Sequence, residues 1–366
     1  MNRHLIAAAL LLTAMAGPYA AATQTSPDWQ TQAVHALEHM HDANAEATLA
    51  VVRYASNGLH SSPRALQAVN AAIDNEPAAA DLIALKMRLC DNLAGSCDRQ
   101  ALALQLRHLA PHNALGWMSV LQQAVAARQT GKATRVLGAM AGAETFTTYR
   151  LALLKRLYET LAYLPAPVDL AALDHSLAPV DLRRMQALIW VGFTPITDYR
   201  PLLHACQPDN AAFAQRRSSC RQLGRLLELH SDRVMDVAVG LALERWTTDN
   251  AHAYHHAMQR TLQWRWLSHA YGDACTEPKA PMRKTCLDMG MHRHAAHDFF
   301  VAVAHKAGQN TTPPAGWGQR FADFEVHADR SRGVTFAAWP QPSPGEAVPA
   351  TATNTPPQAP HKASGI

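Results

Sequence analysis

The sequence predicts an all-α protein: helical hairpins stacked as an α-solenoid, with disulfide-stapled turns and a disordered Pro-rich tail. Three observations predict it. Apolar residues recur at helical spacing and no alternating strand pattern of any length occurs, while glycine and proline stops interrupt the chain at short intervals. The six cysteines fall into three pairs that are local in sequence. Hydrophobic residues make up 48% of the 366 and charged residues only 17%, enough to bury a core.

The N-terminus comes first. Arg3 and His4 give a short polar start, Leu5 to Met15 an apolar stretch, and Gly17-Pro18 a helix break. Ala20-Ala21-Ala22 then offers small residues for signal-peptide cleavage after Ala22, so the mature chain is expected to start near Thr23. The apolar run is too short for a permanent transmembrane anchor, which needs roughly 20 residues. No cysteine near the cleavage site argues for a lipid anchor either. The expected location is the periplasm or the outside of the cell.

The cysteines agree with that address. Cys90/Cys97, Cys206/Cys220 and Cys275/Cys286 each bracket a loop-like segment, so nearest-neighbour disulfides are favoured among the possible connectivities. Closing such short loops contributes about 2–3 kcal/mol each in the chain-entropy model. No C-x-x-C spacing occurs, which argues against zinc–cysteine sites in an oxidising compartment.

Between the stops, Leu82, Leu85 and Leu89 share a helical face, as do Leu102, Leu106 and Leu109, and Val234, Val237 and Leu241. The division expected is a signal peptide over 1–22, an N-terminal helical region over 23–160, a C-terminal helical region over 161–337, and a Pro/Ala/Thr-rich tail over 338–366. Two helices are expected late in the chain, from about Asp249 to Tyr271 and from about Met282 to Lys306. The turn His230-Ser231-Asp232 precedes the helix that starts near Val234, with Ser231 or Asp232 as its N-cap.

Pro77 and Pro111 stand 34 residues apart, each followed by a small run and a helix. Trp117 stands in the first helix of the second unit, Gly131 at the turn, and Ala133 and Leu137 in the second helix. On those residues the segment over about 78–142 resembles a tetratricopeptide repeat in degenerate form, with Leu121, Ala124 and Thr145 departing from its pattern. The resemblance implies stacked helix pairs with a concave face that takes a peptide or protein. Cys90 and Cys97 would then staple one repeat turn, and Cys275/Cys286 the turn between the two late helices. The segment from Arg216 to Arg245 is similar to one in uncharacterised secreted bacterial proteins, a likeness that implies no activity.

Chemistry is sparse. No G-x-S-x-G, phosphate-loop, G-x-G-x-x-G or H-E-x-x-H string occurs, so no catalytic residue is assigned. His35-Ala36-Leu37-Glu38-His39 fits H-x-x-E-H literally but lacks the domain a zinc peptidase needs, and an amphipathic helix accounts for it. No Lys/Arg run tracks phosphates and the formal net charge is only +4, which argues against nucleic acid as a partner. If the late helices form a hairpin, His255 or His256 would face His297 and Asp298, a set suited to Zn²⁺ or Cu²⁺. Hydrated surface histidines are the competing account in a chain with 20 of them. Trp246, Trp264, Trp266 and Tyr271 form an aromatic-rich stretch, and Trp264 and Trp266 point to different faces of one helix. The expected role is a non-catalytic scaffold binding an envelope protein or peptide; the alternative is a metal- or small-ligand-binding protein using the C-terminal histidines.

Overall fold

The computed structural model describes residues 27–56, 63–91, 97–167, 170, 177–276, 282–292 and 295–337. The expected signal peptide, the Pro-rich tail, Asn92 to Ser96, Glu277 to Lys279 and His294 lie outside the described residues. Within them the chain folds into sixteen α-helices. No strand is present among the described residues beyond the single bridges Asn113–Thr145 and Phe146–Ser231.

The first core is built by α1 (Pro27–Glu38), α2 (Ala43–Ser56), α3 (Pro63–Asn75), α4 (Ala80–Asp91), α8 (Arg150–Leu161) and α9 (Pro179–Gly192). Trp29 and Trp190 meet inside it at 5.7 Å, and Trp29 Nε1 donates to the Pro165 carbonyl. The second core takes α4 again, then α5 (Arg99–Leu109), a 3₁₀ turn (Ala114–Trp117), α6 (Met118–Ala126) and α7 (Thr130–Ala141). It continues through α10 (Arg200–Ala205), α11 (Phe213–Leu229), α12 (Val234–Trp246), α13 (Ala251–Tyr271) and α16 (Gln319–Ser331). A smaller cluster packs α15 (Ala296–Lys306) on α12 and α13, and α14 (Arg283–Gly290) packs on α9.

The leucine faces read from the sequence are buried apart from the half-buried Leu109, but α4 is buried on both sides. Leu85 and Leu89 face the first core, Ile83, Ala84, Met87 and Cys90 the second. Local signals set several ends: the Asp98 carboxylate accepts from Gln100 N and Ala101 N at 3.0 Å to start α5, and Asn250 Oδ1 accepts from Ala253 N to start α13.

Chain neighbours pack as hairpins (α2 on α3, α4 on α5, α6 on α7, α11 on α12), but α8 also lies on α2 and α7 on α11. A strict solenoid has contacts between successive repeats only; these crossings join distant parts of the chain. Both large cores draw residues from either side of position 160, so that boundary does not separate two independent cores. The turn between α6 and α7 is made by Arg128 at φ 53°, and Gly131 falls within the first turn of α7.

All three cysteine pairs are disulfides: Cys90–Cys97, Cys206–Cys220 and Cys275–Cys286. The first spans the α4–α5 connection and the second ties the end of α10 to the middle of α11. The third differs from expectation. The helix expected from Met282 to Lys306 ends at Gly290 and restarts at Ala296, so Cys275, in a π turn (Gly272–Thr276), is joined to the short α14.

The N-cap expected at Ser231 or Asp232 is also corrected. Arg233 occupies the cap of α12, and no side chain bonds there. Ser231 Oγ donates back to the Leu227 carbonyl at 2.5 Å. Asp232 reaches across the molecule instead. Its Oδ1 accepts from Thr148 N and Thr148 Oγ1 at 2.9 Å, and its Oδ2 from Thr147 Oγ1 at 2.8 Å and Arg150 N at 2.6 Å. The first turn of α8, whose own cap Tyr149 sits at φ 59° and makes no capping bond through its side chain, is thereby capped by a carboxylate from a remote turn.

The α11–α12 crossing is close enough to need glycine. A Cβ on Gly240 would lie 2.5 Å from the Gly224 carbonyl oxygen and 2.7 Å from Glu228 N.

Two outcomes are expected in urea unfolding at neutral pH. Asp232→Ala strips four donors of their acceptor and should cost about 2–4 kcal/mol, with Asp232→Asn intermediate; a loss below about 1 kcal/mol would contradict the remote cap. Gly240→Ala should destabilise despite the roughly 1 kcal/mol gain in helix propensity, because overpacking against backbone wins. Gly138→Ala, where a Cβ meets nothing within 4 Å, should stabilise. Equal shifts in the two glycine variants would contradict the close crossing.

Candidate functional site

The histidines do not assemble as expected. Among the described residues no group of three or more His, Cys, Asp and Glu side chains is placed to hold a metal ion. The helix break between Gly290 and Ala296 spoils the register that would have set His255 and His256 against His297. His256 instead meets His252 one turn back, Nε2 to Nε2 at 3.1 Å. His297 stacks on Trp264 at 6.3 Å, and its Nδ1 lies 3.7 Å from Asp298, whose side chain is largely exposed. In the H-x-x-E-H string, the Glu38 carboxylate takes Arg53 at 2.5 Å, as the amphipathic-helix account requires.

The tryptophans divide as their spacing demands. Trp264 is core, against Phe300 at 4.9 Å, and Trp246 is likewise buried. Trp266 is on the other face of α13 and heads a surface cluster. Its ring meets Trp317 edge-on at 5.3 Å and stacks on His269 at 6.2 Å, and Trp317 meets Phe321 at 6.2 Å. Phe321 and Phe324 are 37% and 44% exposed. Trp266 Nε1 donates to the Asn310 carbonyl, which holds the incoming loop down. Gly318, at φ 78° above Leu262, turns that loop into α16 with Trp317 laid against α13. Arg265 lies 4.9 Å over the Phe321 ring and pairs with Glu325 at 2.6 Å.

That face is anchored from beneath. Asp329, 1% exposed, accepts from Arg245 Nε, Trp246 Nε1 and the Tyr254 hydroxyl at 2.7 to 2.8 Å. Arg245 also reaches Glu325 at 2.6 Å. Burial alone would push Glu325 up, but the Arg245 and Arg265 guanidinia hold it below the usual carboxylate range. Neither Trp317 nor the Asp329 anchor was foreseen; the Gly316-Trp317-Gly318 triplet was the available signal.

A second concentration of charge lies where the two cores meet. Arg88, on doubly buried α4, is 2% exposed and donates from Nη1 to the Thr148 carbonyl at 2.5 Å. Burial, reinforced by Arg233, pulls its guanidinium down to about 9. Arg150 is lowered by the same two causes. Arg233 donates to the Pro195 and Val191 carbonyls and to Thr194 Oγ1. Asp236, fully buried, accepts from the Tyr199 hydroxyl at 2.5 Å, and burial raises it from an ordinary 3.8 to about 7. Tyr199 is itself raised well above its ordinary value by burial and by Asp236.

The folded state therefore holds a proton on Asp236 up to about pH 7, whereas the unfolded chain releases it near 4. The contribution of this group to stability falls as pH rises from 4 through 7, because only the folded state must then carry a buried charge. Asp236→Asn removes that dependence. Relative to wild type, its unfolding midpoint should improve by a few degrees, about 2 kcal/mol, between pH 5.5 and pH 8. A wild-type-to-variant difference that stays constant over this range would rule the shift out.

No family model, curated protein or solved structure matches this chain.

Proposed function

We propose that this protein is a non-catalytic helical scaffold of the periplasm that binds a protein or peptide. The observation that carries the reading is the aromatic face of Trp266, Trp317 and Phe321. Trp266 and Trp317 are half-buried and Phe321 is exposed; rings held edge-on at the surface offer rigid apolar contact area at little entropic cost, and clustered surface aromatics mark interaction sites. Phe324 extends the face, so an extended segment with apolar anchors suits it. The α4–α5 and α6–α7 hairpins, with Ala133 and Leu137 buried in the second and Trp117 half-buried in the 3₁₀ turn that leads into it, support a tetratricopeptide-like stacking of this part of the chain. Three disulfides suit an oxidising compartment, and no helix among the described residues is long and apolar enough to cross a membrane.

Selection from a displayed random-peptide library on the purified protein tests the reading. Enriched peptides should carry aromatic or large aliphatic anchors. The double variant Trp317→Ala/Phe321→Ala should bind them at least about tenfold more weakly, with an unchanged helical spectrum. No enrichment, or equal affinity for the variant, would count against it.

A further inference from the structure

α13 carries two imidazoles one turn apart on its solvent side. The Asn250 cap fixes where the helix begins, which makes His252 and His256 neighbours over its first two turns. Both side chains are exposed, while Tyr254, Ala257 and Met258 bury the other side of the helix and hold its backbone in place. The two rings meet edge-on, with centroids 4.5 Å apart and planes at 87°, and their Nε2 atoms approach to 3.1 Å.

Two nitrogens 3.1 Å apart, each at the roughly 2.0–2.1 Å of a metal–imidazole bond, subtend about 95–100° at a shared ion. That angle lies between the about 90° of a tetragonal centre and the about 109° of a tetrahedral one, and exposed side chains reach either by small rotations. The contact between the rings has one of them protonated at Nε2. An ion needs both protonated at Nδ1 instead, a tautomer change that solvated imidazoles make freely. The charged groups at this end of α13 are paired with one another, Arg217 and Arg221 on Asp249 and Arg260 on Glu228 and Glu244. The helix N-terminus opposes a cation only weakly at an exposed position.

We propose that His252 and His256 form a two-nitrogen site for a divalent first-row transition ion, Cu²⁺ above the others. Imidazole suits Cu²⁺, Ni²⁺ and Zn²⁺ alike, and where the protein does not enforce a geometry the general affinity order puts Cu²⁺ first. Two histidines four apart on one helix face is a spacing by which helices hold metal ions. The fixed backbone presents the second nitrogen at high effective concentration once the first is bound, so the pair binds more tightly than two separated histidines. The remaining coordination positions face water, which makes the ion exchangeable rather than structural. The site uses neither His297 nor Asp298, lies on α13 alone, and does not rest on the peptide-scaffold reading.

Calorimetric titration of the untagged full chain with Cu²⁺ and with Zn²⁺ at neutral pH, together with the electron paramagnetic resonance spectrum of the Cu²⁺ form, tests it. Cu²⁺ should bind at least about tenfold more tightly than Zn²⁺, with hyperfine structure from two imidazole nitrogens. His252→Ala and His256→Ala should each remove one equivalent of tight Cu²⁺, weakening it at least about tenfold, and the double variant should go little further. Both positions are exposed, so these variants keep the fold, which an unchanged helical spectrum verifies. His255→Ala, next to the pair, and His39→Ala, in a similarly spaced pair on α1 whose rings meet at 4.7 Å, should leave this equivalent in place. Absence of tight Cu²⁺ binding, an unchanged number of tight equivalents in His252→Ala or His256→Ala, or tighter binding of Zn²⁺ than of Cu²⁺ would each overturn the assignment.

Discussion

One carboxylate holds the two halves of this protein in register. Asp232 leaves the α11–α12 turn, in the second core, and closes on the first turn of α8, in the first. Apolar burial supplies most of the driving force for such packing, but it is non-directional and would tolerate sliding of one helix layer over another. Four donors converging on two oxygens do not. The turn is fixed on further sides as well, since Phe146 N donates to the His230 carbonyl and Ala296 N to the Ser231 carbonyl. Segments more than sixty residues away in the sequence on either side thus meet this turn at three consecutive positions.

The same logic repeats where α16 meets the rest. Asp329 gathers a guanidinium, an indole N–H and a phenol from α12 and α13, as Asp232 gathers amides and hydroxyls from the first residue of α8 and the two threonines before it. A third joint inverts the charge: Arg156 on α8 donates to Asp81 of α4 at 2.6 Å, to Glu76 at 2.7 Å and to Asn44 of α2 at 2.8 Å. The joints between helix layers are polar and multidentate, and the spaces between them are filled by leucine and alanine. The disulfides do something different. Each closes a short local loop, which restrains the unfolded chain and holds single hairpins, and none of them spans the two cores.

That division explains what the sequence reveals. Helical period, helix stops and cystine pairing are local properties, and Leu82, Leu85, Leu89 and the three cysteine pairs appear in the fold as their spacing implies. The joints are not local. Asp232, next to a helix start, has the look of that helix's cap, and nothing nearby in the sequence says that its partners stand more than eighty residues upstream. Arg88 looks like the polar side of an amphipathic helix, and only a second core packed on that side buries it. The histidine pairing failed for a related reason. It assumed one continuous helix from Met282 to Lys306, whereas a break at Gly290 takes His297 onto Trp264.

Polar joints of this kind are not the cheapest way to gain stability, since apolar residues of similar shape often do as well in a buried position. What they provide is orientation, and the aromatic face lies on an element so oriented. The aromatic face needs α16 at one rotation about its axis, because Phe321 and Phe324 point outward only while Asp329 points into the Arg245–Tyr254 pocket. The buried Arg88 guanidinium is turned so that Nη1 is spent on Thr148, and Thr148 is where it is because Asp232 holds its amide and hydroxyl. A change at Asp232 therefore reaches Arg88 through a single residue, Thr148, whereas a change at Asp329 reaches the aromatic face through one helix.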